Sequence, residues 1–199
     1  MLYPLLFETS LFPIVWGGNR LREIKGMTPS DEPIGESWEV SAVPESPSVI
    51  ANGTWAGYTL IDVVEKMPEA ILGKAVAKNH NNKLPILVKL IDTNDDLSVQ
   101  VHPNDEMAAR LHIGMGKTEM WYVLSAEPGA CIYAGFQKAL SPEEYARRVA
   151  DGSIMEALAK HEIYAGDVFY IPSGRSHAIG KGVRLVEVQQ SSDLTYRIY

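Results

Sequence analysis

Short runs of alternating apolar and polar residues, closed by Gly, Pro and Asn, recur along most of the chain and predict β-strands of roughly five residues. Along residues 97 to 103, alternation places Leu97, Val99 and Val101 on one face and Ser98, Gln100 and His102 on the other. Along Thr118 to Leu124, Glu119 shares a face with Trp121 and Val123. Leu84 to Ile91 is apolar except for Lys89, and Val168 to Ile171 is opened by Gly166 and stopped by Pro172. Further on, Glu187 and Gln189 alternate against Val186 and Val188 as one polar face. Helical spacing is confined to a few segments. Leu60, Val63, Val64, Met67 and Ile71 predict one helix from Thr59 to Leu72, with Thr59 as cap, Asp62 three residues on, and Gly73 ending it. Ser141-Pro142-Glu143-Glu144 reads as a capping box with proline in the first turn, and Ser153-Ile154-Met155-Glu156 as a second box. Asp105 to Leu111 is a further short helix. The pattern predicts a mainly β protein of jelly-roll or barrel type, a single domain with helical insertions near 59–72 and 141–160.

Composition narrows the function classes. A chain of 199 residues can bury one sizeable core. Its formal charge of −7, with no dense Lys/Arg run, argues against a nucleic-acid surface, so an anionic ligand needs a local basic pocket. No stretch approaches the ~20 apolar residues of a membrane span. Met1 to Glu8 lacks a basic region and is interrupted by Pro4, so it reads as mature structure. Cys131 is the single cysteine, which excludes an intrachain disulfide and fits a cytoplasmic protein; its strand-like surroundings argue against a nucleophilic role.

The candidate chemistry lies on the strands. A carboxylate on the same face as Trp121 and Val123 is costly unless something compensates, and a metal ion does so economically. Gly166, Pro172, Gly174 and His177 follow G-x5-P-x-G-x2-H, a spacing that resembles the second signature motif of the cupin superfamily. Gln100, His102, Glu119 and His177 then form a mixed nitrogen and oxygen ligand set, suited to Zn and tolerable for Mn, Fe, Co or Ni, among which the residues do not choose. Gly116-Lys117-Thr118 is not the end of a phosphate-binding P-loop, because Leu111 stands where glycine is required. His80, His112 and His161 lack partners at ligand spacing and read as surface histidines.

Five ordered blocks extend the resemblance: Trp16-Gly17-Gly18, the segment from Ile34 to Ser41, Leu97 to Pro103, Gly116 to Tyr122, and Glu187 to Arg197. Together they resemble the type I mannose-6-phosphate isomerases in their short bacterial form. The resemblance implies a cupin jelly roll, one bound zinc held by Gln100, His102, Glu119 and His177, an active-site Arg197, and interconversion of mannose 6-phosphate with fructose 6-phosphate. Ser98 is similar to that family's phosphate-contact serine. Glu187 is expected as the base or as an orienting carboxylate holding His102 or Arg197. Asp193 follows Glu187 as a candidate for that role, or is expected to contact substrate or pair with Arg197. Lys89 is expected in acid/base chemistry or phosphate binding, with snorkelling at a sheet edge as the alternative, and Lys117 as a substrate contact or a solvated loop lysine. Members of the family continue beyond the arginine block into a second cupin-like half, whereas this sequence stops at Tyr199, so a truncated form is expected. A sugar-phosphate-binding cupin without turnover and an isomerase for another hexose 6-phosphate stay open. An iron oxygenase does not fit the Gln-x-His motif. The oligomeric state is left open.

Overall fold

The computed structural model describes residues 3–111 and 114–199; His112 and the first two residues of the N-terminal segment, about which expectations were stated above, lie outside the described residues. Among the described residues eleven strands form in chain order: β1 (Leu11–Gly18), β2 (Ile34–Val40), β3 (Ile86–Asp92), β4 (Gln100–Val101), β5 (Glu119–Ala126), β6 (Cys131–Phe136), β7 (Leu158–Glu162), β8 (Val168–Ile171), β9 (His177–Ile179), β10 (Val183–Gln190) and β11 (Tyr196–Arg197). They pair antiparallel into a six-stranded sheet, β1-β2-β3-β10-β5-β8, and a five-stranded sheet, β11-β4-β9-β6-β7. This is the mainly β architecture that the strand cadence predicts, and of the two types the cadence leaves open it is the jelly roll that the resemblance implies.

Register explains how one interior serves both as core and as site. Across the six-stranded sheet, Leu185 lies between Ile91 and Val123, and these pack with Ile132 and Ile179 of the facing sheet into the apolar centre. Two residues along, Glu187 lies between Lys89 and Trp121, with Trp38 beyond Lys89. The next inward row sets Gln189 between Leu87 and Glu119. The pleat therefore turns apolar residues inward over one part of these strands and charged ones over the next.

Several elements depart from the sequence pattern. The helix expected from Thr59 to Leu72 is two, Leu60–Lys66 and Pro68–Leu72, because Pro68 cannot supply the N–H that would continue the first. Thr59 does cap the first, in a reciprocal box with Asp62. A third helix, Lys74–Asn79, has too few apolar residues to announce itself. Ser141 caps Pro142–Ala150 through Glu144 N–H, but Ser153 makes no capping bond to Ile154–Ala157: its backbone has turned to φ −82°, ψ 7°, away from the extended cap conformation. The second helical insertion thus ends at Ala157, and 158–162 is strand. The run from 97 to 103 enters the ladder only at Gln100–Val101, and Leu97 packs against the central core while Val99 packs with Leu158 and Ala178. Cys131 is buried on β6, and His80 and His161 are exposed. No helix among the described residues is long and apolar enough to cross a membrane.

Candidate metal centre

Three strands and one turn bring His102, Glu119 and His177 together. Pro172 to Ser176 forms the turn, where Gly174 adopts φ +81° and donates its N–H to the His102 carbonyl at 2.8 Å, so the two histidine segments are tied through backbone. His177 follows on β9, paired to Gln100 of β4, and Glu119 opens β5 on the facing sheet. The donor atoms of His102, Glu119 and His177 lie within 4.8 Å of one another, with His177 Nε2 3.2 Å from Glu119 Oε1 and His102 Nε2 3.5 Å from Glu119 Oε2.

Hydrogen bonding fixes which ring nitrogen faces inward. His102 Nδ1 donates to the Leu194 carbonyl and His177 Nδ1 to the Arg175 carbonyl, each at 2.8 Å, which leaves both Nε2 atoms as acceptors. Those two Nε2 atoms and Glu119 Oε2 are buried and have no hydrogen-bond partner among the described residues. Burial pushes the imidazolium form of His102 down to about 2, with the Lys117 charge adding to it, and that of His177 down to about 4. Burial, then the Glu187 charge, raises Glu119 to about 8. Two neutral imidazoles and a carboxyl group that burial holds back from ionising, each with a buried unsatisfied atom, are a donor set that fits a divalent cation, whose charge would favour the carboxylate form.

A cavity of about 830 Å³ adjoins this cluster, at the upper range of small-molecule sites. Gln100 and Trp121 line it; Trp121 also packs edge-on against His177, with ring centroids 5.4 Å apart. Lys117 lines it too, and its Nζ stands 3.2 Å from Glu119 Oε2 as an ion pair outside hydrogen-bond alignment. With only 5% exposure, Lys117 is not the solvated loop lysine of the alternative expectation. Burial alone would lower its pKa, but Glu187 and Glu119 together raise it, so the ammonium form is held.

Lys89, Glu187, Asp193, Ser98 and Arg197 line the same cavity, so all six remaining sequence candidates, Lys117 included, meet in one space. Lys89 is 2% exposed on an interior strand, which overturns snorkelling at a sheet edge. Its Nζ lies 3.1 Å from Glu36 Oε2, 3.8 Å from Asp193 Oδ1 and 4.0 Å from Glu187 Oε1, over the Trp38 ring. Asp193 thus faces Lys89 and not Arg197. Glu187 Oε2 accepts from Trp121 Nε1 at 2.8 Å, so the partner it holds is neither His102 nor Arg197. Burial alone would raise the Glu187 carboxyl, yet the Lys117 and Lys89 charges and the Trp121 bond hold it below the ordinary range. Arg197 is exposed at the rim on β11, in register with Gln100.

Residue-level reading missed Glu36. It alternates with Trp38 on β2, and both line the cavity, so the strand period could have flagged it; Trp38 Nε1 donates to Glu36 Oε2 at 2.8 Å. Around the cavity, six carboxylates (Glu36, Glu45, Asp95, Asp96, Glu187, Asp193) outnumber the cations Lys89, Lys117 and Arg197. An anionic ligand therefore meets a net negative wall unless a metal charge is added.

Comparison with known proteins finds relatives of the chain over nearly its whole length. The profile of the phosphomannose isomerase type I catalytic domain matches residues 6–128. The chain is similar to the mannose-6-phosphate isomerase of Streptococcus mutans, 42% identical over the whole chain and 61% of that protein. It is 39% identical to Bacillus subtilis mannose-6-phosphate isomerase ManA, over 98% of the chain and 60% of that protein. The crystal structure of a Bacillus subtilis mannose 6-phosphate isomerase superposes with a TM-score of 0.90 at 36% identity, covering 98% of this chain and 61% of that one. The chain spans about six-tenths of the length of these relatives.

Proposed function

The chain belongs to the type I phosphomannose isomerase family, and from that premise we propose that it is a zinc-dependent aldose–ketose isomerase interconverting mannose 6-phosphate and fructose 6-phosphate, acting as one cupin-type catalytic domain. The observation that carries this reading is an unsatisfied, buried His102–Glu119–His177 donor set that two cavity-lining side chains touch, Lys117 through Glu119 and Trp121 through His177, in a cavity that also holds Glu187. His102 and His177 through Nε2, Glu119 through its carboxylate and Gln100 through its amide oxygen would hold the metal; a borderline cation such as Zn suits this set, and Mn, Fe, Co or Ni are tolerated. When bound, the cation supplies Lewis-acid stabilisation of negative charge at the sugar oxygens.

The chain's own residues supply the rest. Moving a hydrogen between C1 and C2 through an enediol requires an acceptor for the carbon-bound proton and a donor to the oxygens. Glu187, kept ionised by Lys117, Lys89 and Trp121, is the acceptor; Lys89 and Glu36 hold its orientation. Lys117 is kept protonated and aims its N–H groups where oxygen charge grows. Arg197, through its planar guanidinium, and Ser98 take the phosphate end at the rim, with Asp193 orienting Lys89 toward the substrate. A cytoplasmic location accords with the single buried cysteine and a metabolic sugar-phosphate substrate.

Glu187→Gln tests the assignment, because it keeps the side-chain shape and removes the proton acceptor. Turnover of mannose 6-phosphate is expected to fall by roughly 10²- to 10⁴-fold with metal content and substrate binding retained. Turnover within a few fold of the parent would contradict Glu187 as the base.

A further inference from the structure

We infer that Asp105 and Gln190 act as a paired clamp that positions Lys117, an inference resting on the placement of Lys117 in the reactive cavity. Three successive backbone N–H groups at the base of this lysine are held from outside its own segment. Gly116 N–H donates to Asp105 Oδ1 at 2.9 Å, Lys117 N–H to the Pro103 carbonyl at 3.0 Å, and Thr118 N–H to Gln190 Oε1 at 2.8 Å. Gln190 Nε2 then donates back to the Asp105 carboxylate at 3.1 and 3.2 Å, closing the clamp.

The segment has no freedom to settle elsewhere. A Cβ at Gly116 would stand 2.6 Å from the backbone of Asn104 and Asp105, so the chain passes there only as glycine. Pro103 directly follows His102, and the clamp thereby references the lysine backbone to the segment carrying a metal-ligand candidate. From this fixed base the side chain runs inward to 3.2 Å from Glu119. A lysine has four rotatable bonds and no rigid fork, so the place of its ammonium depends on where its backbone is anchored, and small displacements of a reacting group are costly in rate.

The clamp has one polarity. The carboxylate of Asp105 only accepts, and the amide oxygen of Gln190 is already taken by Thr118, so its NH2 must face Asp105. Exchanging the two functional groups keeps the bonds to Gly116 and Thr118 and one amide-to-carboxylate bond, and gives up only the branch from residue 190 to Oδ1. In Asp105→Asn with Gln190→Glu, the introduced amide keeps its oxygen on Gly116 N–H and turns its NH2 to the introduced carboxylate, which still accepts from Thr118 N–H.

The test is a double-mutant cycle on the 199-residue chain, reading kcat, KM, metal content and amide hydrogen exchange. Asp105→Asn turns the Oδ2 branch into a contact between two NH2 groups, leaving Oδ1 shared by Gly116 and Gln190, and Gln190→Glu sets two carboxylates together. Each single variant is expected to lower kcat about tenfold at unchanged KM and metal content, and to speed exchange at Gly116 and Thr118. The double variant is expected to recover both within about twofold. Single variants with parental kcat, or a double variant no better than the singles, would overturn the clamp. Absence of isomerase turnover in the parent would count against the proposed reaction alone, and the clamp would then stand or fall on the exchange rates, whose insensitivity to the single substitutions overturns it.

Discussion

Charged side chains in this interior are held by one another, and that is where the residue scale decides function. Lys89, Lys117, Glu119 and Glu187 are each at most 5% exposed. Burying any one of them unpaired would shift it to its neutral form, but the network keeps Lys117 and Glu187 charged while leaving one Glu119 oxygen and two imidazole nitrogens without partners. His102→Ala and His177→Ala are each expected to bring bound zinc well below stoichiometry, measured by elemental analysis after dialysis. Arg197→Ala is expected to retain the metal and lose roughly hundredfold or more in turnover, since it removes a cation and leaves the donor set intact. Glu119 was legible because a carboxylate on the face of Trp121 and Val123 marks itself by period, His177 because Gly and Pro spacing frames it, and His102 because it shares a polar strand face with Ser98 and Gln100. Glu36 carries the same signal, since it alternates with Trp38 on β2, and was passed over; Asp92 ends its strand beyond the apolar run and has no such neighbour to mark it.

Asp92 supplies a pH signature away from the metal. It is fully buried, with Arg20 Nε 2.6 Å from Oδ1, and burial raises its pKa against the pull of Arg20. The folded state therefore binds this proton more tightly than the unfolded chain. The stability so gained is complete below the unfolded carboxylate pKa of about 4 and is lost as pH rises through the higher folded value. Asp92→Asn removes the titration. Urea unfolding across roughly pH 4 to 7 should show the parent losing stability relative to the variant as pH rises; parallel curves would contradict the assignment.

At the scale of elements, local signals succeeded where one residue's chemistry suffices and failed where neighbours decide. Thr59 and Ser141 cap their helices because extended backbone places their hydroxyls over free N–H groups, at ψ 158° and 157°. Ser153 has the same box sequence, but the turn after Gly152 brings it in at ψ 7°, and the bond does not form. Pro68 shows the reverse case, a breaker whose effect is readable from its missing N–H but was outweighed by an apolar period running past it. Thr59→Ala is expected to cost about 1 kcal/mol of unfolding free energy in urea with kcat unchanged, since residues 59–79 do not line the cavity. Altered kcat at unchanged metal content would show that this helix reaches the site.

For the whole molecule, fold class followed from strand cadence, while strand order did not. β10 enters between β3 and β5, far from β3 in sequence, and that insertion alone sets Glu187 between Lys89 and Trp121. Pairing of distant strands depends on the closure of the whole sheet, which no local pattern encodes. The same closure gathers more carboxylates than cations around the cavity, so a hexose 6-phosphate should bind poorly until a divalent cation is added. Calorimetric titration of mannose 6-phosphate into the protein before and after chelation should show this as a loss of affinity; equal affinity in both forms would contradict it.

The central claim is that the buried donor set serves a metal required for aldose–ketose isomerisation. It is tested most directly by a coupled assay for fructose 6-phosphate formed from mannose 6-phosphate, run on the 199-residue chain after dialysis against chelator and again after zinc is restored. The account requires turnover that is lost with the metal and recovered with it. Turnover indifferent to chelation, or none with a full equivalent of zinc bound, would contradict it.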